Sequence, residues 1–176
     1  KLRWSYAASK MIDEFIALSL YEEKKVSPII VRLFNIIGPN QLSKFGMVVP
    51  RFIEAAINDE DILIHGDGSQ SRSFTWVDDV VTYLIKLAEL KAYGEIFNIG
   101  QTEEITIKEL AELIIEKSNS NSKIIYKSHE EVFGKSFEDP NRRTPGIEKI
   151  VEFTGIKPSK NIEFMVENII NYKQNN

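Results

Sequence analysis

Helix-like and strand-like segments alternate along this chain, and that alternation constrains its fold more than any other feature. Apolar residues recur at helical spacing in some segments, while short apolar runs fill others. The predicted helices cover about 4–24, 47–58, 75–90, a stretch from 106 onwards, and 161–173, and the predicted strands cover about 29–35, 62–65, 95–99 and 124–126. Short loops between alternating helices and strands indicate an α/β fold.

Two of the predicted helices begin with capping signals. Thr75 is followed three residues later by Asp78, and Thr106 by Glu109, which is the spacing of an N-terminal cap. In the helix after Thr75 we expect the apolar residues to face the core, namely Val77, Val80, Val81, Leu84, Ile85 and Ala88. The irregular stretch 128–145 is predicted to be an arm that closes over a ligand.

Tyr6 and Lys10 form a candidate catalytic pair in the first predicted helix. They are four residues apart, so they lie side by side on one face of a helix. A phenol loses its proton near pH ~10, and a neighbouring ammonium favours the phenolate. The pair is therefore a candidate general acid and base. The opposite face of the same helix carries an apolar stripe of Ala8, Met11, Ile12, Phe15 and Ile16.

Composition excludes several classes of function. The chain has 176 residues, of which 43% are hydrophobic, enough for a core. It has no cysteine and only two histidines, His65 and His129, which share no motif, so we expect no metal site. A net charge of −4 argues against nucleic-acid binding. No apolar run is long enough to span a membrane and no signal-peptide pattern is visible, so we expect a cytoplasmic protein.

Half of the six arginines lie in two short segments. Because the planar guanidinium group suits bidentate recognition of phosphate, scarce arginines in an acidic chain suggest local recognition of a diphosphate. We assign Arg72 and Arg143 to that recognition and Arg142 to solvent.

Six segments occur along nearly the whole chain in a fixed order. They are residues 3–10 (RWSYAASK), 29–39 (IIVRLFNIIGP), 46–52 (GMVVPRF), 62–79 (ILIHGDGSQSRSFTWVDD), 139–145 (DPNRRTP) and 154–158 (TGIKP). With these segments in this order, the chain resembles the extended short-chain dehydrogenases/reductases, and within that group the nucleotide-sugar epimerases, dehydratases and decarboxylases.

The resemblance implies the C-terminal remainder of a Rossmann-type parallel sheet, interleaved with a smaller α/β substrate-binding domain. Residues 1–40 would end the NAD-binding domain and residues 41–176 would mainly form the substrate domain, with 75–100 returning to the Rossmann sheet. An apolar helix stripe such as the one opposite Tyr6 pairs family members into dimers, so the resemblance also implies a homodimer for the intact enzyme.

The resemblance also implies roles for individual residues. Tyr6 would be the acid/base and Lys10 would bind the nicotinamide ribose of NAD. Asn35 would contact the phosphate of a UDP-sugar, although a strand-end turn is its simpler role. Arg72 and Arg143 would clamp the diphosphate, and His65 would lie near the base of the bound nucleotide.

The activity implied for the intact enzyme is epimerisation at C4 of a UDP-hexose through a 4-keto intermediate. Decarboxylation of UDP-glucuronate and 4,6-dehydration of a nucleotide sugar remain alternatives. None of the glycines forms the Gly-rich turn that holds a dinucleotide, so we expect a fragment that is inactive by itself. A non-catalytic nucleotide-sugar-binding or assembly module is the alternative from another class.

Overall fold

The computed structural model describes residues 4–43, 47–128 and 142–176. Helices and strands alternate within these ranges, which confirms the predicted α/β class. In chain order the elements are α1 (Trp4–Glu22), β1 (Ile30–Leu33), β2 (Ile36–Ile37), α2 (Val48–Ile57), β3 (Ile62–His65), β4 (Ser71–Ser73), β5 (Thr75–Trp76), α3 (Val77–Glu89), β6 (Ile96–Ile99), β7 (Glu104–Thr106), α4 (Ile107–Ser118), β8 (Ile124–Lys127), β9 (Arg142–Arg143), α5 (Glu148–Thr154) and α6 (Ile162–Asn175).

Parallel pairing dominates among the strands. β1 pairs with β6, β2 with β5 and β3 with β8, each in parallel. β4 lies between β7 and β9, antiparallel to β7 and parallel to β9. Because parallel neighbours cannot be joined by a tight hairpin, each such pair brings together residues that are distant in sequence.

The buried apolar side chains form two clusters. The larger one joins α2, β3, α4 and α6, and contains Phe52, Ile64, Leu110, Ile114 and Ile170. The smaller one joins α3, β6 and α5, and contains Tyr83, Leu87, Phe97, Ile99 and Ile150. The sequence did not predict α5, which packs on β6. The domain boundaries given above stay predictions.

The start of α4 has the predicted capping box. The Thr106 hydroxyl accepts a hydrogen bond from the Glu109 backbone N–H at 3.1 Å, and the Glu109 carboxylate accepts one from the Thr106 N–H at 2.9 Å. Two backbone donors that a helix leaves unpaired are thereby satisfied.

The cap predicted for α3 was wrong. Thr75 lies in β5, and its hydroxyl donates to the Phe34 carbonyl at 3.0 Å. Helix α3 begins two residues later, and the Trp76 side chain donates to Asp78 at 2.9 Å instead of capping the backbone. Strand pairing with β2 therefore takes Thr75 out of the helix.

The predicted inward face of α3 was also largely wrong. The buried residues are Val80, Tyr83 and Leu87, whereas Val81, Leu84, Ile85 and Ala88 are exposed. Apolar residues occur on two faces of this helix, so periodicity did not determine which face the core would cover. Packing against β6 and α5 selects the face that carries Tyr83, whose hydroxyl donates to the Ile156 carbonyl at 3.0 Å. Within the described ranges, no helix has the length and apolar character needed to cross a membrane.

Candidate active site

A cleft of about 770 Å³ opens beside the end of β1, strand β2 with the loop that follows it, and the start of α2. Three of the predicted site residues line it, namely Tyr6, Asn35 and Arg143. They come from α1, from the turn after β1 and from β9. The cleft thus brings together side chains from segments that are far apart in sequence.

Tyr6 lies in the first turn of α1, with 71% of its surface exposed. The Lys10 ammonium is 6.0 Å from the centre of the Tyr6 ring, so the two side chains share one face of the helix. Lys10 donates to the Asp13 carboxylate at 2.9 Å, and this hydrogen bond raises the pKa of Lys10. The lysine therefore stays charged beside the phenol.

Helix α1 is positioned by few contacts, since none of its residues is buried. One contact is a bidentate ion pair in which Arg32 of β1 donates to both oxygens of Glu14, at 2.7 and 2.6 Å. The arginine lowers the pKa of Glu14, mainly through these hydrogen bonds. The placement of Tyr6 over the cleft therefore depends partly on this bridge between α1 and β1.

Asn35 has both a structural contact and a position in the cleft. Its φ is 37°, a left-handed conformation that asparagine tolerates better than most residues. Its side-chain amide donates to the Ser73 carbonyl at 2.8 Å, and its own carbonyl accepts from the Thr75 N–H at 3.1 Å. Asn35 thus ties the end of β1 to the segment that joins β4 and β5.

Arg72 and Arg143 are register partners in the parallel pair β4–β9. Arg143 lines the cleft. Arg72 donates to the Ser71 carbonyl at 2.7 Å and is not among the residues that line the cleft. Only one of the two predicted clamp residues therefore faces the cleft directly.

The sequence analysis assigned Arg142 to solvent, but the structure also shows a partner for its side chain. Its side chain is 75% exposed, yet its guanidinium group donates to the Glu104 carboxylate from Nε at 2.7 Å and from Nη2 at 2.6 Å. Because neighbouring residues of a strand point to opposite faces, Arg142 and Arg143 lie on opposite faces of β9.

His65 lies at the end of β3, where it is the register partner of Lys127. It does not line the cleft, and its role near the base of the nucleotide stays a prediction. His129 lies outside the described residues, as does much of the predicted arm. Among the residues that the structure describes, no group of three His, Asp or Glu side chains could hold a metal ion.

Gln41 is a cleft residue that the sequence analysis missed. Its side-chain amide donates to the Ile36 carbonyl at 3.1 Å, which fixes the side chain in place. Its side-chain oxygen is buried and has no hydrogen-bond partner among the described residues. The only signal in the sequence is its position in the polar loop just after Gly38 and Pro39.

Comparisons with known proteins identify related sequences. Residues 1–100 match the NAD dependent epimerase/dehydratase family. A UDP-N-acetyl-alpha-D-glucosaminuronate decarboxylase of Bacillus cytotoxicus is 39% identical over 160 residues, which are 90% of this chain and 50% of the relative. UDP-glucuronic acid decarboxylase 4 of Arabidopsis thaliana is 34% identical over 157 residues, which are 89% of this chain and 34% of the relative.

A solved structure has the same fold. The UDP-glucose 4-epimerase of Thermotoga maritima, determined with UDP-glucose, superposes with a TM-score of 0.86 at 27% identity and covers 97% of this chain and 53% of its own. The present chain thus spans 50% of the length of the Bacillus relative, 34% of the Arabidopsis relative and 53% of the Thermotoga protein. On the family match and the 39% identity, the chain belongs to the NAD dependent epimerase/dehydratase family.

Proposed function

We propose that the full-length protein containing this chain is an NAD-dependent enzyme that decarboxylates a UDP-linked hexuronic acid. The observation that carries this proposal is the cleft in which Tyr6, Asn35 and Arg143 meet. Decarboxylation is preferred over the epimerisation that the motifs first suggested, because relatives at 39% and 34% identity are decarboxylases of UDP-linked uronic acids.

The residues of α1 fit one part of an NAD molecule. A phenol that lines the cleft and an ammonium on the next turn can hydrogen-bond to ribose hydroxyls, and Lys10 is the residue that would hold them. When bound, NAD supplies the acceptor and later the donor of a hydride at C4 of the sugar. No Gly-rich turn for its pyrophosphate is found in this sequence.

Tyr6 would act as the general base and later as the general acid. Its side-chain oxygen accepts the proton of the C4 hydroxyl, and the Lys10 ammonium lies 6.0 Å from the centre of its ring. C4 becomes a ketone, which places the carboxylate on C5 in the β position. The bond between C5 and the carboxylate then breaks, carbon dioxide leaves, and the electron pair moves to the C4 oxygen as an enolate. C5 takes up a proton, and Tyr6 returns its proton to the C4 oxygen when the ketone is reduced.

Arg143 and Gln41 would position the nucleotide. Arg143 offers a planar set of donors that suits a diphosphate. Gln41 lines the cleft, and the hydrogen bond from its side-chain amide to the Ile36 carbonyl holds it there. Arg72 would contribute positive charge from the neighbouring strand.

The test is to incubate the full-length protein and NAD with UDP-glucuronate, its N-acetylamino analogue, UDP-glucose and dTDP-glucose. We expect carbon dioxide from a uronic acid substrate. Tyr6→Phe should lower turnover on the order of 10²-fold or more, because the general base is lost. Tyr93→Phe, the same change at a residue that does not line the cleft, is the matched control.

Other outcomes would contradict the proposal in distinct ways. C4 epimers without carbon dioxide would support epimerisation, the second candidate, which the Thermotoga structure favours. Loss of water from dTDP-glucose would indicate a dehydratase. Binding of UDP without conversion of any sugar would indicate a non-catalytic module. Near-normal turnover of Tyr6→Phe would remove Tyr6 from the mechanism.

A further inference from the structure

Glu104 joins the three strands β7, β4 and β9 through a single carboxylate. One oxygen accepts from the Ser71 hydroxyl of β4 at 2.7 Å. The other accepts from Arg142 of β9, from Nε at 2.7 Å and Nη2 at 2.6 Å. Since β4 lies between the other two strands, the carboxylate of β7 reaches across it to β9.

We propose that Glu104 and Arg142 form a positioning pair that holds Arg143 in the cleft. The pair acts through the backbone of β9, because Arg142 and Arg143 are consecutive. With Arg142 held on one face of the sheet, the alternation of side chains directs Arg143 to the other face. This proposal rests on the function proposed above, since it concerns how the cleft binds the nucleotide.

The strand that carries Arg143 needs such support. β9 has two residues and pairs only with β4 among the described strands. An arginine side chain has many rotamers, and each one that must be excluded on binding costs conformational entropy. A β9 strand whose register is held in advance leaves only the Arg143 side chain to be ordered by the ligand.

The charges are arranged to keep the pair intact. Arg142 and then Ser71 lower the pKa of Glu104 to about 2, and Glu104 raises the pKa of Arg142. Both groups are therefore ionised at any pH at which the enzyme would work. The Glu104 side chain is only 22% exposed, so it is better shielded from solvent than its partner.

The test is a double-mutant cycle with UDP as the probe, measured by calorimetry on the full-length protein. Arg143→Ala should weaken UDP binding by about ten- to a hundredfold, because a charge-assisted contact is lost. Glu104→Gln and Arg142→Ala should each weaken it by roughly threefold to tenfold, since Arg143 remains but is less well positioned. Adding Glu104→Gln to Arg143→Ala should cause no further loss.

A matched control is Glu167→Gln. Glu167 of α6 forms a 2.6 Å ion pair with Lys117 of α4 and lies outside the cleft, so the same chemical change there should leave UDP binding unaltered. Arg142→Lys should bind UDP more weakly than the parent and more tightly than Arg142→Ala, because lysine keeps the positive charge but lacks the planar guanidinium group that makes two hydrogen bonds to Glu104. If Glu104→Gln does not fold, Arg142→Lys tests the pair in its place. Weaker UDP binding than in the parent is then expected, and unchanged binding would overturn the positioning pair.

The possible failures are distinguishable. A parent protein that does not bind UDP would overturn the proposed function. A parent that binds UDP, together with Glu104→Gln that binds equally well, would overturn the positioning pair. Losses that add in the double variant would also overturn it, because Glu104 would then act independently of Arg143.

Discussion

Some residues at or near the cleft also hold distant segments of the chain together. Asn35 lines the cleft and also bonds to the Ser73 carbonyl, 38 residues away. Glu104 lies on the sheet that carries Arg143 and binds two strands at once. Substitutions at such positions change the fold and the ligand site together, so binding and stability must be measured on the same variants.

Glu104 should also make the folded state sensitive to acid. Its pKa lies near 2 in the folded protein and has an ordinary value of 4.5, so the unfolded chain binds more protons between these values. The stabilisation is present above about pH 4.5 and is lost as the pH falls toward 2. We expect urea unfolding of the parent to lose stability more steeply across this window than that of Glu104→Gln.

Glu167→Gln, which retains Glu104, should keep the steep dependence of the parent. Identical pH profiles for the parent and Glu104→Gln would contradict a lowered pKa at this carboxyl.

At the scale of elements, α1 makes few contacts with the rest of the chain that the structure describes. It has no buried residue and depends on the ion pair between Glu14 and Arg32 and on contacts near its C-terminal end. There the ring of Tyr21 lies against Gly94. Within the described residues, these specific contacts place the helix that carries Tyr6.

Gly94→Ala should disturb that placement. A Cβ atom at Gly94 would overlap Cε1 of Tyr21, and the φ of +76° is unfavourable for alanine. Both effects destabilise, by roughly 1–3 kcal/mol in total. Chemical denaturation would measure the loss, and reduced turnover would report the shift of α1.

Gly155→Ala is the matched control for that substitution. Its φ of +70° imposes similar backbone strain, but a Cβ atom there has no neighbour within 4 Å. Gly94→Ala should therefore lose more stability than Gly155→Ala. Equal losses would show that the contact with Tyr21 does not matter.

At the scale of the whole molecule, we predict that the full-length protein is a homodimer that pairs through α1. Met11, Ile12, Phe15 and Ile16 are each more than half exposed on this helix, with Phe15 at 66%. Exposed apolar surface of this kind is typical of an interface. Phe15→Glu should convert the dimer to a monomer, because it would bury a charge without a partner.

Light scattering at micromolar concentration tests the prediction. Ile85→Glu, at an exposed apolar residue of α3, is the control and should leave the mass unchanged. A parent that is monomeric under these conditions would contradict the dimer.

The sequence by itself determined the features that depend on near neighbours. The strand 62–65 has the predicted bounds, and the Thr106 capping box forms between residues three apart. Tyr6 and Lys10 share a face because four residues make about one helical turn. Such features follow from local periodicity and local hydrogen bonds, which a sequence displays directly.

Only the tertiary structure decided the features that join distant segments. It selected the buried face of α3, because apolar residues on two faces left the choice to packing against β6 and α5. It placed Arg143 in the cleft and Arg72 beside it, and it paired Arg142 with Glu104, 38 residues away. These outcomes depend on which strands become neighbours, and that choice is made by burial of the core as a whole and not by any local pattern.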